Sequence, residues 1–264
     1  NIPKFFNYNK KEKLISEYLQ TNYNFEIKDL DSLKYRSFPA PYLEIQNTSL
    51  RFNSIETNLF TKTLKIYLNL RSIYNFDNFK VRKVKLIENK ISANVDDLKK
   101  ITQEILRLKK KVEFNNLNIR INRENKKLIS LLDINYKNYG LSKNQINGII
   151  FKKKFKINLK QNFNSIKFKL FETGVSIFIN FNDKETKSTN NGTLQAKFFN
   201  SNLKSSFNYN NSVIKIENSF FRNKELSFDT KGTIQIKPYF KSNLTYTINN
   251  IEKNLIGKIN FYRI

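Results

Sequence analysis

The sequence predicts a mainly β protein whose strands form a long antiparallel meander, curled into an open groove, with an N-terminal helix and one mid-chain helix. Apolar and polar residues alternate through most of the second half, for example at Ile166, Phe168 and Leu170. Such alternation places every second side chain on one face of a sheet. Turn residues recur roughly every 10 to 12 residues, as in an up-and-down sheet. The apolar spacing of a helix is found in two segments.

The N-terminal segment has the sequence signals of a helix start. Asn9 is followed three residues later by Glu12, which is the spacing of a capping box. Four apolar residues then fall on one helical face, namely Leu14, Ile15, Tyr18 and Leu19. We expect this helix to pack on the end of a sheet rather than to bind a partner.

Short strands are predicted between the two helices. A turn at Asn47 is expected to separate the last two of four early strands, at 23–27, 32–36, 42–46 and 49–53. The alternation slips by one residue at Arg82-Lys83 and again after Phe114, as at a β-bulge. The second helix is predicted to begin at Asp96 or Asp97, and its apolar stripe consists of Leu98, Ile101, Ile105 and Leu108.

This pattern divides the chain into two regions. Residues 1–111 are predicted to form an α+β region. Residues 112–264 are predicted to form an antiparallel β-groove region that contains only strands and turns. We expect the second region to continue the sheet of the first.

The candidate site is an apolar groove on one face of the second region. Its residues occupy alternate positions of four consecutive predicted strands, so they share a face. They are Phe155, Ile157, Leu159, Ile166, Phe168, Leu170, Val175, Ile177, Ile179, Leu194, Ala196 and Phe198. In the alternative, these side chains form a dry core against a second sheet or the two helices. Two helices are too few to cover so wide a sheet, which favours the groove.

The composition excludes most catalytic chemistry. The chain has no Cys and no His, which removes thiol nucleophiles, zinc–thiolate sites, the Ser-His-Asp triad and the commonest general base. The carboxylates are scattered, and helix capping explains the adjacent pair Asp96-Asp97. The sequence has no glycine-rich phosphate loop and no metal-binding motif. We therefore expect no catalytic residues, no metal site, no cofactor and no enzymatic activity.

The net charge of the chain is +26, from 48 Lys and Arg against 22 Asp and Glu. Such a charge attracts polyanions, either nucleic acid or anionic lipid headgroups. The abundance of Lys, Asn, Ile, Phe and Tyr is also what an AT-rich genome would produce. In segment 151–157 the lysines and the apolar residues lie on opposite faces, whereas a nucleic-acid site needs rings and charges on the same face. We expect no specific nucleic-acid binding.

Several segments carry a resemblance to a known family. Residues 33–50 contain the turn Phe-Pro-Ala-Pro, which leads into Leu-x-Ile-x-Asn-x-x-Leu. This pattern, with the Leu-Ile-x-x-Tyr-Leu helix at 14–19 and the strand at 91–95, resembles the first domain of AsmA-like proteins. The strand at 226–236 is similar to a repeating strand of that family that ends in a glycine, here Gly232.

The resemblance implies a protein of the bacterial cell envelope. Such a protein is anchored in the inner membrane and projects into the periplasm, with an apolar trough similar to those of TamB-type and chorein-type lipid-transfer proteins. This sequence contains no Met, and none of its segments has the roughly 18 apolar residues of a membrane-spanning helix. We therefore expect an anchor before Asn1. The implied function is to shield or conduct phospholipid acyl chains between the inner and outer membranes.

The burial of acyl chains would give this function its driving force. At about 0.8 kcal/mol per CH₂, exposing a chain of about 16 carbons to water costs on the order of 13 kcal/mol. Two alternatives stay open. One is an envelope module that assists the assembly of outer-membrane proteins by edge-strand pairing. The other is a basic nucleic-acid-binding β protein.

Overall fold

The computed structural model describes residues 9–28, 33–52, 57–69, 80–94, 97, 100–101, 108, 110–123, 126–138, 143–160, 164–182, 189–210, 212–235, 240–248 and 251–259. The chain is mainly β, and its strands form a large open antiparallel sheet, which confirms the predicted fold class. The helix α1 (Asn9–Tyr23) comes first. The strands are β1 (Phe25–Ile27), β2 (Lys34–Arg36), β3 (Tyr42–Phe52), β4 (Asn58–Leu68), β5 (Val81–Asn94), β6 (Val112–Arg123), β7 (Lys126–Asn138), β8 (Lys143–Ile150), β9 (Lys153–Lys160), β10 (Ser165–Leu170), β11 (Ser176–Phe181), β12 (Thr189–Phe198), β13 (Ser201–Asn210), β14 (Val213–Arg222), β15 (Ser227–Gln235), β16 (Phe240–Ile248) and β17 (Ile251–Ile259).

The chain forms two compact units, residues 1–154 and residues 155–264. The first contains α1 and strands β1 to β8, and the second contains β10 to β17 and nearly all of β9. The boundary differs from the one predicted between residues 111 and 112. Strand β6 pairs along β5, and β7 and β8 follow it by antiparallel pairing. These hydrogen bonds join residues 112–150 to the first unit.

Helix α1 packs into the core of the first unit. Ile15, Leu19 and Tyr23 are 0% exposed, and Tyr18 Oη accepts a hydrogen bond from Val81 N of β5 at 3.2 Å. Leu14, expected on the same face, is instead 38% exposed, because the stripe with i, i+4 spacing runs through Ile15, Leu19 and Tyr23. Strand residues that are likewise 0% exposed are Leu43, Ile45, Leu50, Leu64, Ile66, Val84 and Leu86.

The continuation of this stripe corrects the prediction of a strand beginning at residue 23. Tyr23 is the last residue of α1. Asn24 follows with φ 56, a left-handed conformation that Asn tolerates at a helix end. Strand β1 therefore begins at Phe25, and the Phe25 ring packs edge-on against Phe52 of β3 at 6.3 Å.

Strands β5 and β6 pair in parallel, which the sequence did not predict. A parallel pair needs a crossover connection, usually helical. In the connection between them, Asp97, Lys100 and Ile101 are helical, as expected for the mid-chain helix, and Leu108 is buried outside regular structure. The predicted stripe residues Leu98 and Ile105 lie outside the described residues.

A line of left-handed residues crosses the sheet of the first unit. Asn47 in β3, Glu88 in β5 and Asn116 in β6 have φ values of 52°, 54° and 54°, and the strand registers place them level with one another. At each residue the alternation of buried positions shifts by one. Asn47 thus lies within the continuous strand β3, so the expected turn there is wrong. The predicted slips at Arg82-Lys83 and after Phe114 are confirmed by register shifts.

The second unit is a simple antiparallel meander. From β9 to β17, each strand pairs with the next one along the chain. Gly232 lies inside β15 rather than at the end of a strand, which corrects the expectation from the family pattern. Its φ is 145°, and a Cβ there would collide with Asn243 O of β16. Close approach of the two backbones therefore requires a glycine at this position.

Candidate functional site

The strand register brings the predicted groove residues together on one face of the second unit. The cross-strand partners between β9 and β10 are Phe155–Leu170, Ile157–Phe168 and Leu159–Ile166. The same face continues across β11 and β12 through the pairs Phe168–Ile177, Ile166–Ile179, Ile177–Ala196 and Ile179–Leu194. Directly opposed side chains in neighbouring strands are in contact distance. We call the surface formed by the twelve predicted residues the apolar face.

Two of the twelve residues lie at one end of the apolar face. Val175 comes one residue before β11, and its carbonyl oxygen accepts a hydrogen bond from Leu170 N at 3.0 Å. Phe198 ends β12 and lies opposite Ser201 of β13. Val175 continues the alternation of Ile177 and Ile179, and Phe198 continues that of Leu194 and Ala196, so both lie on the same face as these residues. The structure therefore places all twelve predicted residues on one continuous surface.

The apolar face is only partly withdrawn from solvent. Phe155, Leu159 and Ala196 are buried, with exposures of 5%, 6% and 7%. The other nine residues are of intermediate exposure. The corresponding face in the first unit contains residues at 0%, such as Leu64 and Ile66. The same alternation therefore produces a sealed core in the first unit and a half-buried apolar surface in the second.

The apolar face extends beyond the predicted residues through a row of aromatic rings. Phe198 of β12 lies 6.1 Å from Phe221 of β14, measured between ring centroids. Phe221 stacks on Phe228 of β15 at 4.9 Å with an interplanar angle of 27°. Phe228 meets Tyr246 of β16 edge-on at 6.3 Å. Offset and edge-on contacts at these distances are favourable by about 0.5–1.5 kcal/mol each.

A β-bulge concealed this extension from sequence reasoning. Between Ile216 and Ser219, β14 has one residue more than its partner strands. The bulge places Ile216 and Phe221 on the same face although their numbers differ in parity. Phe220 then points to the opposite face and is 39% exposed. The adjacent pair Phe220-Phe221 was the available signal, because two consecutive bulky residues fit a strand only on opposite faces.

Hydroxyl side chains interrupt the apolar face on its later strands. Ser205 of β13, Ser219 of β14 and Thr230 of β15 are successive cross-strand partners, in line with Leu194 of β12. Ser219 is 6% exposed. This row lies beside the pairs that continue the apolar face, Leu203–Phe221 and Phe221–Phe228. The most uniformly aliphatic part of the face is therefore on β9 to β12, where the sequence placed the site.

The opposite face of these strands is polar and cationic. Its exposed lysines include Lys167, Lys169, Lys197, Lys204, Lys215 and Lys231. The predicted segregation holds for Lys167 and Lys169 around Phe168. It fails in segment 151–157, because Phe151 lies in a turn and is 75% exposed and Lys153 shares the strand face of Phe155. A ligand on the apolar face would contact side chains without charge, while the cations lie on the other side of the sheet.

Among the described residues, the groups whose pKa values depart clearly from their ordinary values lie in the first unit and are not part of the apolar face. Burial, with a smaller effect of Tyr18, raises the pKa of Tyr23, and burial raises that of Tyr136. Burial acts to lower the pKa of Lys65, but Tyr42 and Glu44 outweigh it and the net shift is upward. Among the residues that the structure describes, no group of three or more acidic residues has the geometry of a metal site.

Comparisons of the chain with protein-family models, with curated proteins and with solved structures found no match. No helix within the described ranges is both long enough and apolar enough to cross a bilayer. The geometry of the apolar face is therefore the basis for any functional assignment.

Proposed function

We propose that the apolar face of the second unit binds phospholipid acyl chains and shields them from water, without catalysing a reaction. The observation that carries the proposal is the combination of register and exposure. Twelve apolar residues share one face, and nine of them are only half-buried in a unit whose other face is polar. Contiguous apolar surface that is not sealed from solvent is uncommon in soluble domains and usually marks a binding site.

The dimensions of the second unit suit an acyl chain. Nine strands at about 4.8 Å spacing extend about 40 Å from the first to the last. The hydrocarbon of one leaflet is about 15 Å deep, so the face has room for more than one acyl chain. Transfer of a chain of about 16 carbons from water to an apolar surface is favourable by up to about 13 kcal/mol. No individual side chain needs special chemistry, in keeping with the absence of His and Cys from the sequence.

The charge of the protein favours phospholipids over neutral apolar ligands. The net charge is +26, and each basic residue near an anionic membrane surface contributes about 1 kcal/mol of attraction. A phospholipid combines the two features that this chain would attract, an apolar tail and an anionic headgroup. The wider role of the protein, as a periplasmic part of an inner-membrane-anchored AsmA-like protein that passes phospholipid between membranes, belongs to the same proposal.

Binding of a pyrene-labelled phosphatidylglycerol to the full chain tests the proposal. The variant Ile177→Ser/Ile179→Ser places two hydroxyls in the centre of the apolar face on β11. We expect it to raise the Kd at least tenfold, because it removes most of the apolar area of two contact residues. Native mass spectrometry of protein prepared without detergent should show bound phospholipid in the unmodified chain and less in the variant.

Phe178→Ser is the matched control. Phe178 lies between the two isoleucines on β11 but points to the opposite face, where it is 36% exposed. Its replacement removes a larger apolar side chain and should leave the Kd within twofold. Equal binding by both variants, or no lipid binding by the unmodified chain, would contradict the proposal. Binding of unfolded outer-membrane proteins in place of lipid would favour the assembly function instead.

A further inference from the structure

Exposed apolar side chains occupy successive turns at one end of the second unit. Phe171 lies in the turn after β10, Phe199 in the turn after β12 and Leu226 in the turn before β15, with exposures of 36%, 82% and 38%. We propose that this end of the sheet, which we call the tip surface, inserts into the surface of an anionic phospholipid bilayer.

The meander topology places the three turns at the same end. In an antiparallel meander, consecutive turns alternate between the two ends of the sheet. The turns between β10 and β11, between β12 and β13, and between β14 and β15 are therefore neighbours. They are separated by two strands each, which is about 10 Å at the usual strand spacing. A row of apolar side chains with this spacing can enter one bilayer together.

The turn after β12 has a residue that local structure does not favour. Phe199 and Asn200 have φ values of 46° and 64°, the positive pair of a type I′ hairpin turn. Asn and Gly are preferred at both positions because bulky residues are strained there. Phe199 is strained in this way and its ring is 82% exposed, so it gains little packing in return. A residue that is unfavourable in the isolated fold is expected where it serves a contact with another molecule.

The other two turns are held rigid by side-chain hydrogen bonds. Thr173 Oγ1 donates to Leu170 O at 3.0 Å and accepts from Val175 N at 3.1 Å. Asn223 Oδ1 accepts from Leu226 N at 2.6 Å. The apolar side chains are thus presented on ordered turns, which lowers the entropy that membrane contact would cost.

A row of cations lies next to the tip surface. Lys169, Lys197 and Arg222 occupy the same level on β10, β12 and β14, linked through Ser176 and Asn202 of the strands between them. All three cations are exposed. The ammonium group of Lys169 lies 5.1 Å from the centroid of the Phe171 ring. The apolar side chains lie at the very end of the sheet, and the cations lie on the strands next to it. This order matches the hydrocarbon and the anionic headgroups that an inserting tip would meet in an anionic membrane.

At the opposite end of the second unit, the described residues in or next to the turns are polar. They are Asn164, Asn182, Asn210 and Ser212. Val213, at the start of β14, is 37% exposed there, close to the exposures of Phe171 and Leu226, and provides a control at the other end. This inference extends the proposed function, since it names where lipid would enter the apolar face, but it does not depend on acyl-chain binding along the strands.

Tryptophan fluorescence tests the insertion directly, because the chain contains no Trp. Phe199→Trp and Val213→Trp each introduce a single reporter, one at each end. On addition of phosphatidylglycerol vesicles, we expect Phe199→Trp to shift to shorter wavelength and to be quenched by brominated acyl chains. Val213→Trp should show neither change. Equal quenching at both ends, or quenching at neither, would overturn the proposal.

Vesicle sedimentation with the full chain separates insertion from general electrostatic attraction. Phe171→Ser/Phe199→Ser/Leu226→Ser should lower the partition coefficient on phosphatidylglycerol vesicles at least tenfold. Lys169→Gln/Lys197→Gln/Arg222→Gln should lower it about fivefold for each cation, and Val213→Ser should leave it unchanged. A tip variant that binds like the unmodified chain would show that the net charge alone drives binding and would overturn the proposal. Both triple variants should still bind monomeric pyrene-labelled lipid, so this result is independent of the proposed function.

Discussion

The ring of Phe207 lies across Gly192 on the neighbouring strand. The two residues are directly opposed in β12 and β13, and a Cβ placed on Gly192 would be 2.9 Å from Phe207 Cζ and 2.6 Å from Asn180 O. Phe207 also meets Phe181 of β11 edge-on, with ring centroids 6.0 Å apart. One aromatic side chain thus spans three strands because the central strand has no side chain at that position.

This arrangement predicts that Gly192→Ala destabilises the second unit. The added methyl group would force the Asn180 backbone and the Phe207 ring to move, at a cost of about 1–3 kcal/mol. This cost should exceed the small gain that a glycine replacement gives through the unfolded state. Urea denaturation measures the change in the free energy of unfolding. Asn191→Ala, at the adjacent exposed position, is the control and should change it by less than about 0.5 kcal/mol.

Tyr23→Phe is predicted to leave the protein as stable as before or to stabilise it by about 1 kcal/mol. Tyr23 is 0% exposed, and its hydroxyl oxygen has no hydrogen-bond partner among the residues that the structure describes. A buried unsatisfied hydroxyl costs about 1–3 kcal/mol, which the substitution would remove while keeping the ring contact with Phe25. Tyr136→Phe is the contrasting variant, because Tyr136 Oη donates to Asn144 Oδ1 at 2.8 Å. Tyr136→Phe should therefore lower the stability of the protein. A loss of stability in Tyr23→Phe would contradict the conclusion that the Tyr23 hydroxyl is buried without a partner among the described residues.

The same residue predicts how stability depends on alkaline pH. The folded-state pKa of Tyr23 lies above its ordinary value of 10.0, chiefly because of burial. The folded state therefore keeps the phenolic proton when the unfolded state loses it. The free energy of unfolding therefore keeps its full value with respect to this group below pH 10. It falls as the pH rises above 10, with a slope of up to about 1.36 kcal/mol per pH unit. Thermal unfolding between pH 9 and pH 11 should show a smaller slope in Tyr23→Phe.

Two ion pairs of the first unit should differ in their contribution to stability. Glu44 lies 3.5 Å from the ammonium group of Lys65, with side-chain exposures of 12% and 24%, and it also accepts a hydrogen bond from Gln46 Nε2 at 2.9 Å. Glu88 lies 2.8 Å from Lys62, but both side chains are more than half exposed. Glu44→Gln should therefore cost about 1–2 kcal/mol, whereas Glu88→Gln should cost less than about 0.5 kcal/mol. Denaturant titration of both variants measures the difference, and equal losses would contradict the expected role of burial.

The sequence was most informative where pairing is local. Alternation predicted the strands of the second unit and the shared face of residues such as Ile177 and Ile179, because a meander pairs only neighbours and its period is two. It failed where the backbone departs from that period. Asn47 was interpreted as a turn because a left-handed residue inside a strand shifts the alternation in the same way as a break between two strands.

Long-range features were not predictable from one sequence. The parallel pairing of β5 with β6 depends on a crossover, and nothing in the alternation of either strand specifies its direction. The aromatic extension of the candidate site through Phe221 and Phe228 depends on a bulge in β14, which becomes visible only in the register. The difference in exposure between the two units also has no signature in the alternation, which is similar in both.

The neighbour-to-neighbour pairing of the second unit makes its width adjustable in steps. Each described pairing from β9 to β17 joins strands adjacent in sequence, so the gain or loss of one hairpin would leave all other pairings in register. One hairpin adds about 10 Å. The insertion or deletion of a gene segment of about twenty codons would therefore change the width of the second unit by one hairpin and leave its other strand pairings unchanged.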